Sequence, residues 1–152
     1  MKHQALIDEN IQNLVSLATN LTQEQRRNTE KMALAAANTI KSGGSIFWCG
    51  NGGSAADAQH LSAELIGRLV NNREPLPSIA LNSDIAALTC IANDFGYTEI
   101  YARQLKGLGK AGDLLIVLST SGNSGNVLKC LDVAKQIRII TVDSAWPDLG
   151  HL

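Results

Sequence analysis

Helical and strand patterns alternate along this 152-residue sequence in the order required by an α/β protein with a doubly wound parallel sheet. Three observations predict that class. Short apolar runs such as Ile46-Phe-Trp-Cys49 and Leu114-Leu-Ile-Val-Leu118 lack polar alternation, as strands buried on both faces do. A stretch with apolar residues at helical spacing follows each of them. The junctions after these two runs, Gly50 to Ser54 and Ser119 to Ser124, are rich in glycine and hydroxyl groups and sit where open parallel sheets bind ligands.

Two helices come first. Residues 4–19 place Leu6, Ile11, Leu14, Val15 and Ala18 at helical spacing, and Thr22 with Gln25 forms a capping-box pattern opening a second helix to about Lys41. Gly43 and Gly44 stop it, and residues 45–49 read as the first strand. A helix through Ala58, Leu61, Leu65 and Leu69 is expected to end near Asn71 and Asn72, before a second strand at Pro77–Leu81. Helices at Ile85–Ala92 and Thr98–Leu108 flank an expected turn at Asn93-Asp94-Phe95-Gly96. Residues 113–118 give the clearest strand, Val127–Lys135 a helix, and Ile137–Val142 a fourth strand. The whole is expected to be one domain, 1–152, with N-terminal helices at 4–41, a parallel core at 45–143 and an atypical tail at 144–152.

Hydrophobic residues make up 45% of the chain and charged residues 18%, with a formal net charge of -1, which excludes a disordered polar chain. Basic residues are scattered, the densest pair being Arg26 and Arg27, so no nucleic-acid footprint is expected. The opening MKHQALIDENIQNLV has no apolar run long enough for a signal peptide or membrane span, which predicts a cytoplasmic protein without a membrane partner. Cys49, Cys90 and Cys130 lie in apolar stretches without CxxC spacing and are expected to be buried free thiols.

Three features could carry chemistry. In Gly50-Asn51-Gly52-Gly53-Ser54, glycines between a strand and a helix let backbone N–H groups approach an anion. The run also fits a loose GxGxxA dinucleotide pattern through Gly50, Gly52 and Ala55, but Asn82, not an acidic residue, follows the second strand. A purely structural tight turn is the other alternative. In Ser119-Thr120-Ser121-Gly122-Asn123-Ser124, four hydroxyls converge on a helix N-terminus, an arrangement suited to a phosphate monoester or to simple helix capping. His60 and Glu64 lie four residues apart on one helix face, able to share a divalent metal, to act as base and orienter, or to form an ordinary surface pair.

Taken together, Cys49-Gly-Asn-Gly-Gly-Ser-Ala-Ala-Asp-Ala-Gln-His60, Ala63-Glu64-Leu65, Asn93-Asp94 and Ser119-Thr-Ser-Gly-Asn-Ser124 resemble the phosphoheptose isomerases of the sugar isomerase (SIS) domain family. The match runs in order from the N-terminal helices to Val142. It implies a flavodoxin-like three-layer α/β/α fold, and interconversion of sedoheptulose 7-phosphate and a heptose 7-phosphate for lipopolysaccharide synthesis. By the resemblance, Asn51, Gly52, Gly53, Glu64, Asn93, Asp94, Ser119, Thr120, Ser121 and Ser124 bind the sugar phosphate. His60 and Glu64 match two zinc ligands, Glu64 also matches a catalytic acid/base, and a homotetramer built through the N-terminal helices is implied.

Family members continue into a further strand and a long helix carrying a Gln and a His that complete the zinc site and the acid/base pair. Here Ser144-Ala-Trp-Pro-Asp-Leu-Gly-His-Leu152 takes that place, His151 is not at the family position, and a truncated or altered terminus is expected. These residues alone are therefore expected to isomerise slowly or not at all. The alternative is a non-catalytic SIS regulator of replication initiation, similar in the Ala-Gln-His and Ile-Ala-Asn-Asp segments. Those proteins replace the glutamate matched by Glu64 and place an arginine where this chain has Ser121.

Overall fold

The computed structural model describes residues 2–145, and the chain divides between Leu34 and Ala35 into two compact units. The first holds α1 (Lys2–Thr19) and the start of α2 (Gln23–Lys41). The Thr22 capping box is present in full: Gln25 N–H donates to Thr22 Oγ1 at 3.1 Å and Thr22 N–H to Gln25 Oε1 at 2.8 Å. Leu6, Ile11, Leu14 and Val15 of α1 are exposed.

The second unit carries β1 (Ile46–Gly50), α3 (Gly53–Ile66), β2 (Ser78–Ala80), α4 (Ile85–Phe95), α5 (Ala102–Leu108), β3 (Leu114–Ser119), α6 (Gly125–Gln136) and β4 (Ile140–Ala145). All pairings are parallel, and the strand order β2-β1-β3-β4 reverses direction between β1 and β3. That is the flavodoxin-like arrangement, with its crevice at the carboxyl ends of β1 and β3. Every residue of β1 is buried, as its continuous apolar run requires.

Alternate side chains serve opposite faces of the sheet. Phe47, Cys49, Leu115 and Val117 join Leu105, Val127, Cys130 and Ala134 of α5 and α6 in the main core. On the other face, Trp48 Nε1 donates to Ser78 Oγ at 2.8 Å and that hydroxyl to Ser62 Oγ of α3 at 3.0 Å. The amino ends of β1 and β3 are clamped by buried Asp113, whose two carboxylate oxygens accept from Ser45 N–H at 2.8 Å and Lys110 N–H at 2.9 Å.

Five expectations need correction. α3 stops at Ile66, because Gly67 closes it through Ala63 O and the Arg73 guanidinium takes the Glu64 and Leu65 carbonyls, both at 2.7 Å. Leu69 is therefore outside the helix and exposed. Asn93 and Asp94 form no turn: Asp84 caps α4 by accepting Ala87 N–H, and the helix runs through them to Gly96, whose φ of 90° ends it. Thr98 falls in a 3₁₀ turn, Tyr97–Glu99, before α5. Residues 137–139 make the helix-to-strand connection, with Arg138 left-handed at φ 60°, so β4 starts at Ile140. Cys90 is exposed on α4, whereas Cys49 and Cys130 are buried as expected. Trp146, Pro147 and His151 lie outside the described residues.

Candidate functional site

The β1–α3 loop begins where Gly50 leaves the sheet. A Cβ there would lie 2.8 Å from Leu118 O and from both Ser54 Cβ and Ser54 O, so no larger residue fits. Gly52 turns the chain at φ 56° and precedes the first turn of α3. Beside it, at the end of neighbouring β3, lies the hydroxyl loop. Ser119 Oγ accepts Gly122 N–H at 3.0 Å and Ser121 Oγ accepts Asn123 N–H at 3.3 Å. Ser124 occupies the N-cap of α6 without a side-chain capping bond, so simple capping does not account for its hydroxyl. Thr120 and Ser121 are exposed, Ser119 and Ser124 half-buried.

Asn51 ties these loops together. Its Nδ2 donates to Asn126 Oδ1 at 2.9 Å, and Asn126 Nδ2 returns a bond to Asn51 Oδ1 at 2.8 Å. Tyr97 Oη donates to the same oxygen at 3.0 Å, and Tyr101 Oη donates to Gly50 O at 2.5 Å. Burial pushes the Tyr101 phenol well up, keeping it a donor. None of Asn126, Tyr97 and Tyr101 was singled out by the sequence. Asn126 stands two residues after the serine loop, and Tyr97 two after Asn93-Asp94-Phe95, but their pairing with Asn51 spans 75 and 46 positions.

A pocket of about 480 Å³ adjoins this corner, lined by Gly52, Ala56, Gln59, Asn82, Thr89 and Tyr97 among others. Asn82 donates through Nδ2 to Ala55 O at 2.8 Å, while its buried Oδ1 has no partner. Asn93 and Asp94 are exposed at the end of α4, where Asn93 Nδ2 donates to Asp94 Oδ1 at 2.7 Å. Neither lines the pocket.

Ala56, His60 and Glu64 follow one another at four-residue intervals on α3. Glu64 thus stands about 12 Å of helix rise beyond the pocket wall at Ala56. His60 Nε2 lies 3.8 Å from Glu64 Oε1, with the two side chains 72% and 29% exposed. The pair matches zinc in donor type but not in number, since zinc takes at least three protein ligands and the described residues hold no such group of three.

A family model described as SIS domain matches residues 9–143. A phosphoheptose isomerase from Aliarcobacter butzleri is 50% identical over 123 residues, covering 81% of this chain and 65% of that relative. One from Shewanella pealeana is 46% identical over 144 residues, covering 95% and 71%. The solved phosphoheptose isomerase of Neisseria gonorrhoeae superposes with a TM-score of 0.79 at 35% identity, covering 93% and 72%. Several curated relatives are matched over little more than half their length, one over 52%. On the family model and these alignments, the chain belongs to the SIS domain family and groups within it with the phosphoheptose isomerases.

Proposed function

We propose that this chain binds sedoheptulose 7-phosphate and carries the base that isomerises it to a heptose 7-phosphate for lipopolysaccharide synthesis. The observation that carries the reading is the pairing of two loops at the β1/β3 switch point, one glycine-rich and one hydroxyl-rich, the first leading directly into the helix that bears Glu64. The phosphate sits on Ser119, Thr120, Ser121 and Ser124 at the head of α6, with Asn51, Gly52 and Gly53 on its other side. Asn93 and Asp94 meet the sugar hydroxyls. Glu64 removes the proton next to the carbonyl and returns it to the neighbouring carbon through a cis-enediol. Fixing the phosphate holds the reacting carbons against that carboxylate.

Zinc is the cofactor that the family implies, supplying Lewis-acid polarisation of the carbonyl when bound. His60 and Glu64 would be two of its ligands. The same reading places the protein in the cytoplasm; no helix among the described residues is long and apolar enough to cross a membrane.

Ser119→Ala with Ser124→Ala is expected to weaken sedoheptulose 7-phosphate binding about 10²-fold, at roughly 1.5 kcal/mol for each charge-assisted hydrogen bond lost. Calorimetry checks it, and unchanged affinity in the double variant removes the phosphate assignment.

Residues 4–41 are proposed to assemble a homo-oligomer of tetramer type, because Leu6, Ile11, Leu14 and Val15 offer an apolar helix face. Light scattering at micromolar concentration is expected to give more than a monomer mass, falling to monomer with Leu14→Glu and Ile11→Glu. A monomeric parent would end this proposal.

A further inference from the structure

We infer that Asn51 and Asn126 form a latch that fixes the spacing of the β1–α3 and β3–α6 loops, and that Asn126, Tyr97 and Tyr101 are positioning residues for the sugar phosphate held between those loops. The inference rests on the sugar-phosphate reading of the site and adds to it three residues outside the segments that carry the resemblance.

The hydrogen-bond inventory carries it. Two amides facing each other head to tail each spend one N–H and one carbonyl, here at 2.9 and 2.8 Å. Asn126 is 2% exposed and fixed as the second residue of α6, so its amide is a rigid partner rather than a mobile surface group. Its Oδ1 also accepts from Val127 N–H at 3.0 Å. The remaining acceptor site of Asn51 Oδ1 is filled by Tyr97 Oη at 3.0 Å. Tyr101, 2% exposed, commits its proton to Gly50 O, leaving its 3.3 Å approach to Asn51 Oδ1 as packing.

One amide N–H of Asn51 is therefore left over and its direction is set by the other bonds. A ligand between the loops meets that donor already aimed, with no side-chain freedom left to lose on binding. Because Tyr97 also lines the 480 Å³ pocket, the same network joins its wall to both loops.

Two measurements on the full chain test this. Hydrogen exchange of the 119–125 amides is expected to rise several-fold in Asn51→Ala, a substitution in the other loop. Calorimetry with sedoheptulose 7-phosphate is expected to show Asn126→Ala weakening affinity about tenfold. Asn51→Ala combined with Asn126→Ala should be no worse than the weaker-binding single variant, because each removes the same latch. Tyr97→Phe, at an exposed side chain, should weaken binding about threefold and provides the arm that survives if Asn126→Ala does not fold. Unchanged exchange at 119–125 overturns the latch whatever the ligand. Affinity losses that multiply in the double variant, or full affinity in Tyr97→Phe and Asn126→Ala, overturn the positioning role while leaving the function standing. A parent chain that binds no sugar phosphate overturns the functional reading, and the positioning role with it.

Discussion

Glu64→Gln is expected to slow the exchange of solvent deuterium into sedoheptulose 7-phosphate, at the carbon beside the carbonyl, by about 10²–10⁴-fold relative to the parent chain. The amide keeps the shape of the carboxylate but cannot accept the proton, so the dissociation constant should stay within about twofold. Proton exchange is the informative reading because it needs only substrate binding and one base. It therefore registers the first half of the reaction even where net turnover is slow. Glu64 stands on α3, two turns beyond the pocket wall at Ala56, with its side chain 29% exposed. Exchange persisting at the parent rate in Glu64→Gln would place the base elsewhere.

Gly50→Ala is expected to lower stability by about 3 kcal/mol, a fall in melting temperature of about 10 °C for a chain of this size. The new methyl group would stand 2.8 Å from Leu118 O and from Ser54 Cβ and O, and none of these is the far end of a flexible side chain. Relief requires β1 and β3 to part at their paired carboxyl ends, where Gly50 faces Leu118. Gly53→Ala is the control: a Cβ there meets nothing within 4 Å and starts a helix, so stability should hold or rise by up to about 1 kcal/mol. Equal thermal melts for Gly50→Ala and the parent would show that the strands give way more easily than the geometry indicates.

The strands and their order of appearance were legible because a doubly buried parallel strand has to be apolar at every position, as Ile46 to Cys49 are. Helix ends were less so. Asn93-Asp94 carries turn-forming residues, yet the Asp84 cap and the left-handed Gly96 hold them in the last turn of α4. The end of α3 depended on Arg73, nine residues from Glu64, whose bond to a backbone carbonyl leaves no trace in a hydrophobic pattern. The two loops of the candidate site were readable from local composition, whereas the amide pair that joins them was not. An asparagine two residues into a helix looks like any polar surface residue until β1 and β3 are laid side by side and bring Asn126 against Asn51.

The distribution of the cysteines gives the molecule a single chemical handle. Cys49 and Cys130 lie in the core, where a hydrogen bond between them and then burial push the Cys49 thiol well up and keep it from forming the reactive thiolate. Cys90 alone among the three is exposed, on α4 one turn before Asp94, whose Oδ2 lies 3.6 Å from its sulfur. A maleimide dye or nitroxide label applied to the unmodified chain should thus attach at one point, beside Asn93 and Asp94. Spectroscopic observation of that corner then requires no engineered cysteine and no removal of the other two.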